Sequence, residues 1–193
     1  MSHMNVATKI LQNKPNYQTV FTSSEIGQLI GIFNKITLHS SLIYATNKGY
    51  IYRVSKGIYV LKEDYNRQEF ANKYRTPSYI SLYTALQNLG IIFQIYDSIY
   101  AVTTRFEETE IDSQKYIYRK IKDSILLNPL GIRNEKGVNV ATAERAICDK
   151  LYLDGDEYFD NLRDINWNQM RELNEKVYLN NITISNFINK NQK

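Results

Sequence analysis

The sequence predicts an α+β fold divided between two domains. Its 193 residues are 43% hydrophobic and 23% charged, which is typical of a globular chain long enough for two small domains. Capped helical segments and a glycine-containing hairpin fill the first part, and strands and helices both follow after residue 67. Residues 1–62 hold seven cations and one anion, whereas residues 63–193 hold 17 cations and 19 anions. This asymmetry favours a polyanion as the partner of the first domain.

Three short helices are predicted at the start. The first covers residues 6–11 and ends before Pro15. Thr22, with Glu25 three residues later, forms a capping box for the second helix, which Gly31 ends. Asn34 caps a third helix over residues 35–47.

The third helix is expected to bury one face and to offer the other to DNA. Its 3.6-residue period groups Ile36, Leu38, Leu42, Ile43 and Ala45 on the buried face. His39 falls on the same arc, so we expect it to be packed. The opposite face holds small polar residues and a cation, with no acid, which suits a major groove.

A basic hairpin follows the third helix. Residues 50–54 and 58–61 are rich in β-forming residues and flank Ser55, Lys56 and Gly57. Three helices followed by such a hairpin predict a winged helix-turn-helix, with the hairpin as the wing on backbone phosphate or the minor groove. The predicted DNA-binding residues are Lys35, Thr37, Ser40, Ser41, Tyr44, Lys48, Arg53, Ser55 and Lys56.

The second domain is predicted to be a small mixed α/β body with a helical C-terminal end. The winged helix-turn-helix is expected over residues 5–66 and the α/β domain over 67–193, after a cloning scar and start Met at 1–4. Predicted helices cover residues 77–90, 142–153, a segment beginning at Asn166, and 185–190. Tyr79 is expected in the buried stripe of the first of these helices, and Thr142 is expected to cap the second. Predicted strands cover residues 91–95, 98–104 and 115–121, a turn covers 134–137, and the acidic stretch 107–112 is expected to be a solvated loop.

Four segments in this order resemble the motifs of one known family. They are residues 49–59 (GYIYRVSKGIY), 76–90 (TPSYISLYTALQNLG), 102–105 (VTTR) and 143–152 (AERAICDKLY). The chain is similar to the AbiEi-like antitoxins of bacterial abortive-infection toxin–antitoxin systems. It departs from the family pattern at Ala143, where the family often has proline, and at Cys148, where an aliphatic residue is usual.

The resemblance implies a two-part function. The winged helix would bind double-stranded DNA at the operon's own promoter, at inverted repeats, and repress transcription. The second domain would counteract a nucleotidyltransferase toxin, directly or indirectly, as part of phage defence. The alternative is a stand-alone winged-helix regulator whose C-terminal domain senses a ligand or a protein.

Catalysis is not expected from this sequence. It contains no glycine-rich phosphate loop, no His-Glu-x-x-His and no Gly-x-Ser-x-Gly motif. Glu144 and Asp149 lie about 140° apart around their helix, so they do not converge. One cysteine and two histidines make a metal site unexpected, and no cofactor is predicted. Without an apolar run of membrane length or a signal peptide, the expected location is the cytoplasm.

Overall fold

The computed structural model describes residues 6–192, so the predicted scar at residues 1–4 lies outside the described residues. The fold is of the α+β class, as predicted, and the chain forms two compact units. The first ends at Tyr74 and the second begins at Arg75. Within residues 6–192, none of the helices combines the length and the apolar character needed to cross a membrane.

Over residues 6–74, the first unit combines four helices with a three-stranded antiparallel sheet of order β1-β3-β2. Its elements are α1 (Val6–Asn13), β1 (Val20–Thr22), α2 (Ser23–Ile30), α3 (Lys35–Asn47), β2 (Tyr52–Ser55), β3 (Ile58–Val60) and α4 (Arg67–Tyr74). The three predicted helices and the hairpin are confirmed, whereas the short strand β1 was not predicted.

The caps of α2 and α3 form as the sequence predicts. The Thr22 hydroxyl accepts from the Glu25 N–H at 3.2 Å, and the Thr22 N–H donates to the Glu25 carboxylate at 2.7 Å. Asn34 Oδ1 accepts from the N–H groups of Ile36 and Thr37, both at 3.0 Å. These bonds fix where both helices begin.

An apolar core joins the helices of this unit to its sheet. The side chains of this cluster are Ile10, Phe21, Ile26, Ile30, Leu42, Ala45, Ile51 and Tyr59. Each element from α1 to β3 contributes a side chain to this cluster, except β2, which contributes only through Ile51, the residue just before it. Burial of this apolar surface is the main force that fixes the position of α3 relative to the hairpin.

Helix α4 belongs to the first unit by its contacts. Its Glu69 is buried and accepts hydrogen bonds from the start of β1, and its Lys73 donates to the Val20 carbonyl at 2.7 Å. The predicted boundary between residues 66 and 67 falls ahead of this helix. The polar composition of residues 63–73 suggests a linker, but two of its charged side chains, Glu69 and Lys73, form contacts inside the unit.

The second unit has a mixed six-stranded sheet and five helices within the described residues. Its elements are β4 (Ser78–Ile80), α5 (Leu82–Asn88), β5 (Ile99–Thr103), β6 (Glu107–Ile111), β7 (Gln114–Lys120), α6 (Asp123–Leu126), β8 (Ile132–Glu135), β9 (Val138–Ala141), α7 (Ala143–Asp154), α8 (Trp167–Lys176) and α9 (Ile182–Asn191). The strand order is β6-β7-β5-β4-β9-β8. The pairs β4–β9 and β5–β7 are parallel, and the remaining pairs are antiparallel. The helical C-terminal end is as predicted.

Three predicted elements of this unit are wrong. The segment 77–90 is a strand followed by a helix, because Ser78–Ile80 lies between β5 and β9 and is buried throughout. No strand forms over residues 91–95, where Phe93 and Ile95 are exposed. The acidic stretch expected to be a loop contains β6, an edge strand paired only with β7.

Candidate nucleic-acid interface

Helices α2 and α3 approach closely because of one glycine. A Cβ built on Gly27 would lie 2.8 Å from the Ile32 carbonyl oxygen and 3.0 Å from a Leu38 methyl carbon. Gly31 ends α2 in the left-handed conformation, with φ of 74°, which glycine adopts without strain. The sequence therefore folds into two helices joined by a short, tightly packed turn.

Helix α3 touches the core along a narrower stripe than its sequence predicts. Leu42 and Ala45 are buried and Leu38 is half-buried, but Ile36 and Ile43 are 79% and 48% exposed. The predicted buried arc is thus too wide, because the contacts of α3 with α1 and α2 cover only one side of it. The helical period alone does not tell which of two neighbouring apolar rows is covered.

His39 was expected to be packed, and this prediction is wrong. Its side chain is exposed on α3 and, with Lys35, lines a groove of about 430 Å³ between α2 and α3. Ser23 and Ser24, at the start of α2, line the same groove. A cation, an imidazole and two hydroxyls therefore face solvent together beside the turn.

Most of the predicted DNA-binding residues of α3 are exposed. Lys35, Thr37, Ser40, Tyr44 and Lys48 are open to solvent, and Ser41 is half-buried. The Ser40 and Ser41 hydroxyls donate to carbonyls of their own helix, those of Ile36 at 3.1 Å and Thr37 at 2.8 Å. Each hydroxyl proton is thus engaged, which leaves the oxygen lone pairs as acceptors.

The hairpin of β2 and β3 places its cations on the surface of the same unit. Arg53 and Lys56 are exposed, whereas Ser55 is half-buried at a bulge of β2. The Gly57 carbonyl accepts from the N–H of Ser23 at 2.9 Å and from its hydroxyl at 3.3 Å. These bonds tie the hairpin turn to the start of α2.

The exposed cations of α3 and of the β2–β3 hairpin lack acidic partners among the described residues. The first unit carries nine cations and four anions. Two of those anions, Glu25 and Glu69, both pair with Lys73, at 2.8 and 3.3 Å. By contrast, four exposed cations make no ion pair with any described residue: Lys35, Lys48, Arg53 and Lys56. The surface is therefore positively charged where α3 and the hairpin are exposed.

Two of the resemblance motifs meet in the core of the second unit. Tyr79 and Ser81 donate to the Asp149 carboxylate at 3.0 and 2.7 Å, and Tyr178 donates to it at 2.7 Å. Arg145 lies 3.6 Å from the same carboxylate. The Arg145 guanidinium also donates to the carbonyls of Ile125 and Leu130, each at 2.7 Å.

The side chains of this buried cluster stabilise the second unit. Burial raises the pKa of Asp149, and Arg145 and the hydroxyl donors oppose that effect. Burial also raises the pKa of Tyr79 and of Tyr178 well above the ordinary tyrosine range. Since the carboxylate and guanidinium are both fully buried and hydrogen-bonded, neither presents a free reactive group to substrate.

A second ionic network lies at the end of α7. Lys150 contacts Asp154 and Glu157, both at 2.8 Å, and Arg119 contacts Asp154 at 2.6 Å. Glu144, near the other end of α7, accepts from the Asn166 N–H at 3.1 Å. Burial raises the pKa of Asp154, but Arg119 and Lys150 outweigh this effect and lower it.

Within residues 6–192, histidine, cysteine and carboxylate side chains form no group of three able to hold a metal ion. The chain matches no protein-family model, and a comparison with curated proteins found no match. The geometry of α3 and its neighbouring hairpin is thus the main indication of function.

Proposed function

We propose that the first unit is a winged helix-turn-helix that binds double-stranded DNA. The observation that carries this proposal is the exposed face of α3, which has no acidic residue and has an unpaired lysine at either end. With these lysines, the exposed Arg53 and Lys56 of the hairpin extend the same positive surface. A convex helix with such a surface suits the negatively charged major groove.

The topology supports this proposal. The order α1-β1-α2-α3-β2-β3, with β1 paired to β3, is the order of elements in winged-helix domains. In that arrangement α2 and α3 form the helix-turn-helix and α3 enters the major groove. The turn between β2 and β3 is the wing.

The contacts divide into positioning and recognition. Lys35 and Lys48 at the ends of α3, and Arg53 and Lys56 on the wing, neutralise phosphates. Thr37, Ser40, Ser41 and Tyr44 face the groove from α3, and Ser55 supports the wing at its bulge. Phosphate contacts set affinity, whereas base contacts set sequence preference.

The biological role in this proposal is that of an antitoxin that represses its own operon in the cytoplasm. This part rests on the resemblance of residues 49–59, 76–90, 102–105 and 143–152 to AbiEi-like antitoxins. The second unit would counteract a nucleotidyltransferase toxin by binding and not by catalysis. The carboxylates of its best-matched motif, Glu144 and Asp149, are both committed to internal hydrogen bonds.

Binding to a duplex of the operon's promoter tests the DNA part. Replacing Arg53 and Lys56 together by alanine should weaken binding about thirtyfold at physiological salt, because two phosphate contacts are lost. The matched control is the Arg133→Ala/Lys136→Ala double variant. Lys136 and Gly137 form the turn of the β8–β9 hairpin, just as Lys56 and Gly57 form the turn of the β2–β3 hairpin. Equal weakening by both pairs, or by neither, would contradict the assigned surface.

Co-expression tests the antitoxin part. The neighbouring gene product is expressed with the full chain, with a chain that stops at Tyr74, or alone. We expect growth to be restored only by the full chain. Restoration by the shorter chain would place neutralisation in the DNA-binding unit.

A further inference from the structure

The outermost line of α3 is a ridge of four side chains, Ile36, Ser40, Ile43 and Asn47. Their spacing of four, three and four residues keeps them within about 60° of arc on the helix. All four are exposed, and they lie opposite the buried Leu42 and Ala45. If α3 enters a major groove, this ridge is the part of it that reaches deepest toward the base edges, and Thr37, Ser41 and Tyr44 lie along one side of it.

From this ridge we infer that the protein prefers A·T-rich DNA, an inference that rests on the proposed DNA binding. Ile36 and Ile43 are both exposed and offer methyl groups along the ridge. Apolar side chains contact the 5-methyl of thymine, the one apolar group on a major-groove base edge. Two such residues therefore favour thymine.

Of the two polar members of the ridge, Asn47 is the one that suits adenine. The Ser40 hydroxyl donates its proton to the Ile36 carbonyl, so it can accept from adenine N6–H or from cytosine N4–H and does not distinguish the two. The Asn47 side chain makes no hydrogen bond with a described residue and can bond adenine at N6 and N7 together.

The cations of α3 are placed for phosphate, not for guanine. Lys35 and Lys48 stand at the two ends of a helix about 20 Å long, and both lie outside the ridge. We therefore assign them to the phosphates that border the groove. Arginine and lysine are the usual partners of guanine O6 and N7, and the ridge contains neither.

Charge disfavours the association of two copies of the chain through this ridge. Exposed isoleucines also occur where two copies of a chain associate. Here, however, they are flanked by Lys35 and Lys48 and by no acid, so a second copy would bring like charges together. We therefore assign the ridge to the base edges.

The test compares three duplexes of two helical turns each, measured by fluorescence anisotropy with the full-length protein. One contains only A·T pairs, one only G·C pairs, and the third is the A·T duplex with uracil replacing thymine. We expect tighter binding to the A·T duplex than to the G·C duplex. Loss of the methyl groups should weaken binding about fourfold for each methyl contacted.

Variants identify the residues responsible. Ile36→Ala and Ile43→Ala should each reduce the thymine–uracil difference, while Leu11→Ala, an exposed apolar residue on α1, should leave it intact. Asn47→Ala should reduce the A·T over G·C preference. Both isoleucines are exposed, so these variants should fold normally.

The outcomes separate this inference from the proposed function. Absence of binding to the three duplexes and to the promoter would contradict DNA binding itself. Equal binding to all duplexes, or an A·T preference insensitive to uracil and to both isoleucine variants, would overturn the ridge assignment alone. Loss of a dimer in Ile36→Ala, with DNA preference unchanged, would also overturn it.

Discussion

The carboxylate of Glu69 accepts hydrogen bonds from both the backbone N–H and the hydroxyl of Thr19, at 2.9 and 2.7 Å. The Val20 N–H adds a third donor at 3.2 Å. Glu69 is only 2% exposed, and its other oxygen lies 3.3 Å from Lys73. One side chain of α4 therefore satisfies the backbone at the start of β1 and fixes α4 to the first unit.

Changing Glu69 to glutamine should destabilise the first unit by about 1–3 kcal/mol, because it weakens charge-assisted bonds in a buried place. Thermal unfolding followed by circular dichroism measures the loss. The exposed Glu63→Gln variant is the control and should unfold like the unaltered protein. An unchanged melting temperature for Glu69→Gln would show that α4 is not held by this contact.

Asp149→Asn should destabilise the second unit by about 3–5 kcal/mol. It leaves the buried Arg145 without its charge partner and gives three hydroxyl donors a weaker acceptor. Trp167, the single tryptophan, lies in α8 of this unit, so its fluorescence follows unfolding there. Asp156→Asn, at an exposed position, should change stability by less than about 0.5 kcal/mol.

The Lys150 network predicts a loss of stability at high pH. Burial alone would lower the pKa of Lys150, but hydrogen bonds to Asp154 and Glu157 outweigh it and raise this pKa above its ordinary 10.5. A group whose pKa is raised by folding contributes its full stabilisation to the folded state at pH values below its unfolded pKa. Its contribution disappears as the pH rises through the folded value.

Between neutral pH and pH 10.5, the unaltered protein should therefore exceed Lys150→Met in unfolding free energy by a constant margin, and the margin should shrink above pH 10.5. Urea unfolding at increasing pH measures both proteins. The Lys176→Met variant, at a largely exposed lysine of α8, serves as the control. A margin that stays constant above pH 10.5 would contradict a stabilising role for this ammonium group.

Gly27→Ala should weaken DNA binding through the packing of α2 on α3. Its Cβ would meet the Ile32 carbonyl oxygen at 2.8 Å, so the two helices must shift apart. We expect a destabilisation of about 1–3 kcal/mol and a loss of promoter affinity at temperatures where the variant is still folded. Gln28→Ala, on the exposed side of α2, should affect neither quantity.

Local signals explain why the first unit was largely predictable. The starts of α2 and α3 are marked by the capping residues Thr22, Glu25 and Asn34, and two turns are marked by Gly31 and Gly57. The face of α3 was harder, because apolar residues occupy most of its circumference. Contacts with α1 and α2, which the sequence does not reveal, decide that Leu42 is covered and Ile43 is not.

The second unit depends more on contacts between distant residues. The segment Ser78–Ile80 is a buried central strand, and a short apolar run of this kind has no periodicity to distinguish it from a helix. Strand β6 carries three glutamates, which an edge strand tolerates because one side faces water. The partners of Asp149 come from three separate elements, so the buried cluster could not be predicted from spacing along α7.

The salt dependence of binding to the promoter duplex tests the central claim most directly. If Lys35, Lys48, Arg53 and Lys56 each neutralise one phosphate, the logarithm of the binding constant should fall against the logarithm of salt concentration with a slope of roughly −3.6. The Arg53→Ala/Lys56→Ala variant should bring this slope to roughly −1.8. A slope near zero, or one that this variant leaves unchanged, would contradict the assignment of α3 and the hairpin to DNA.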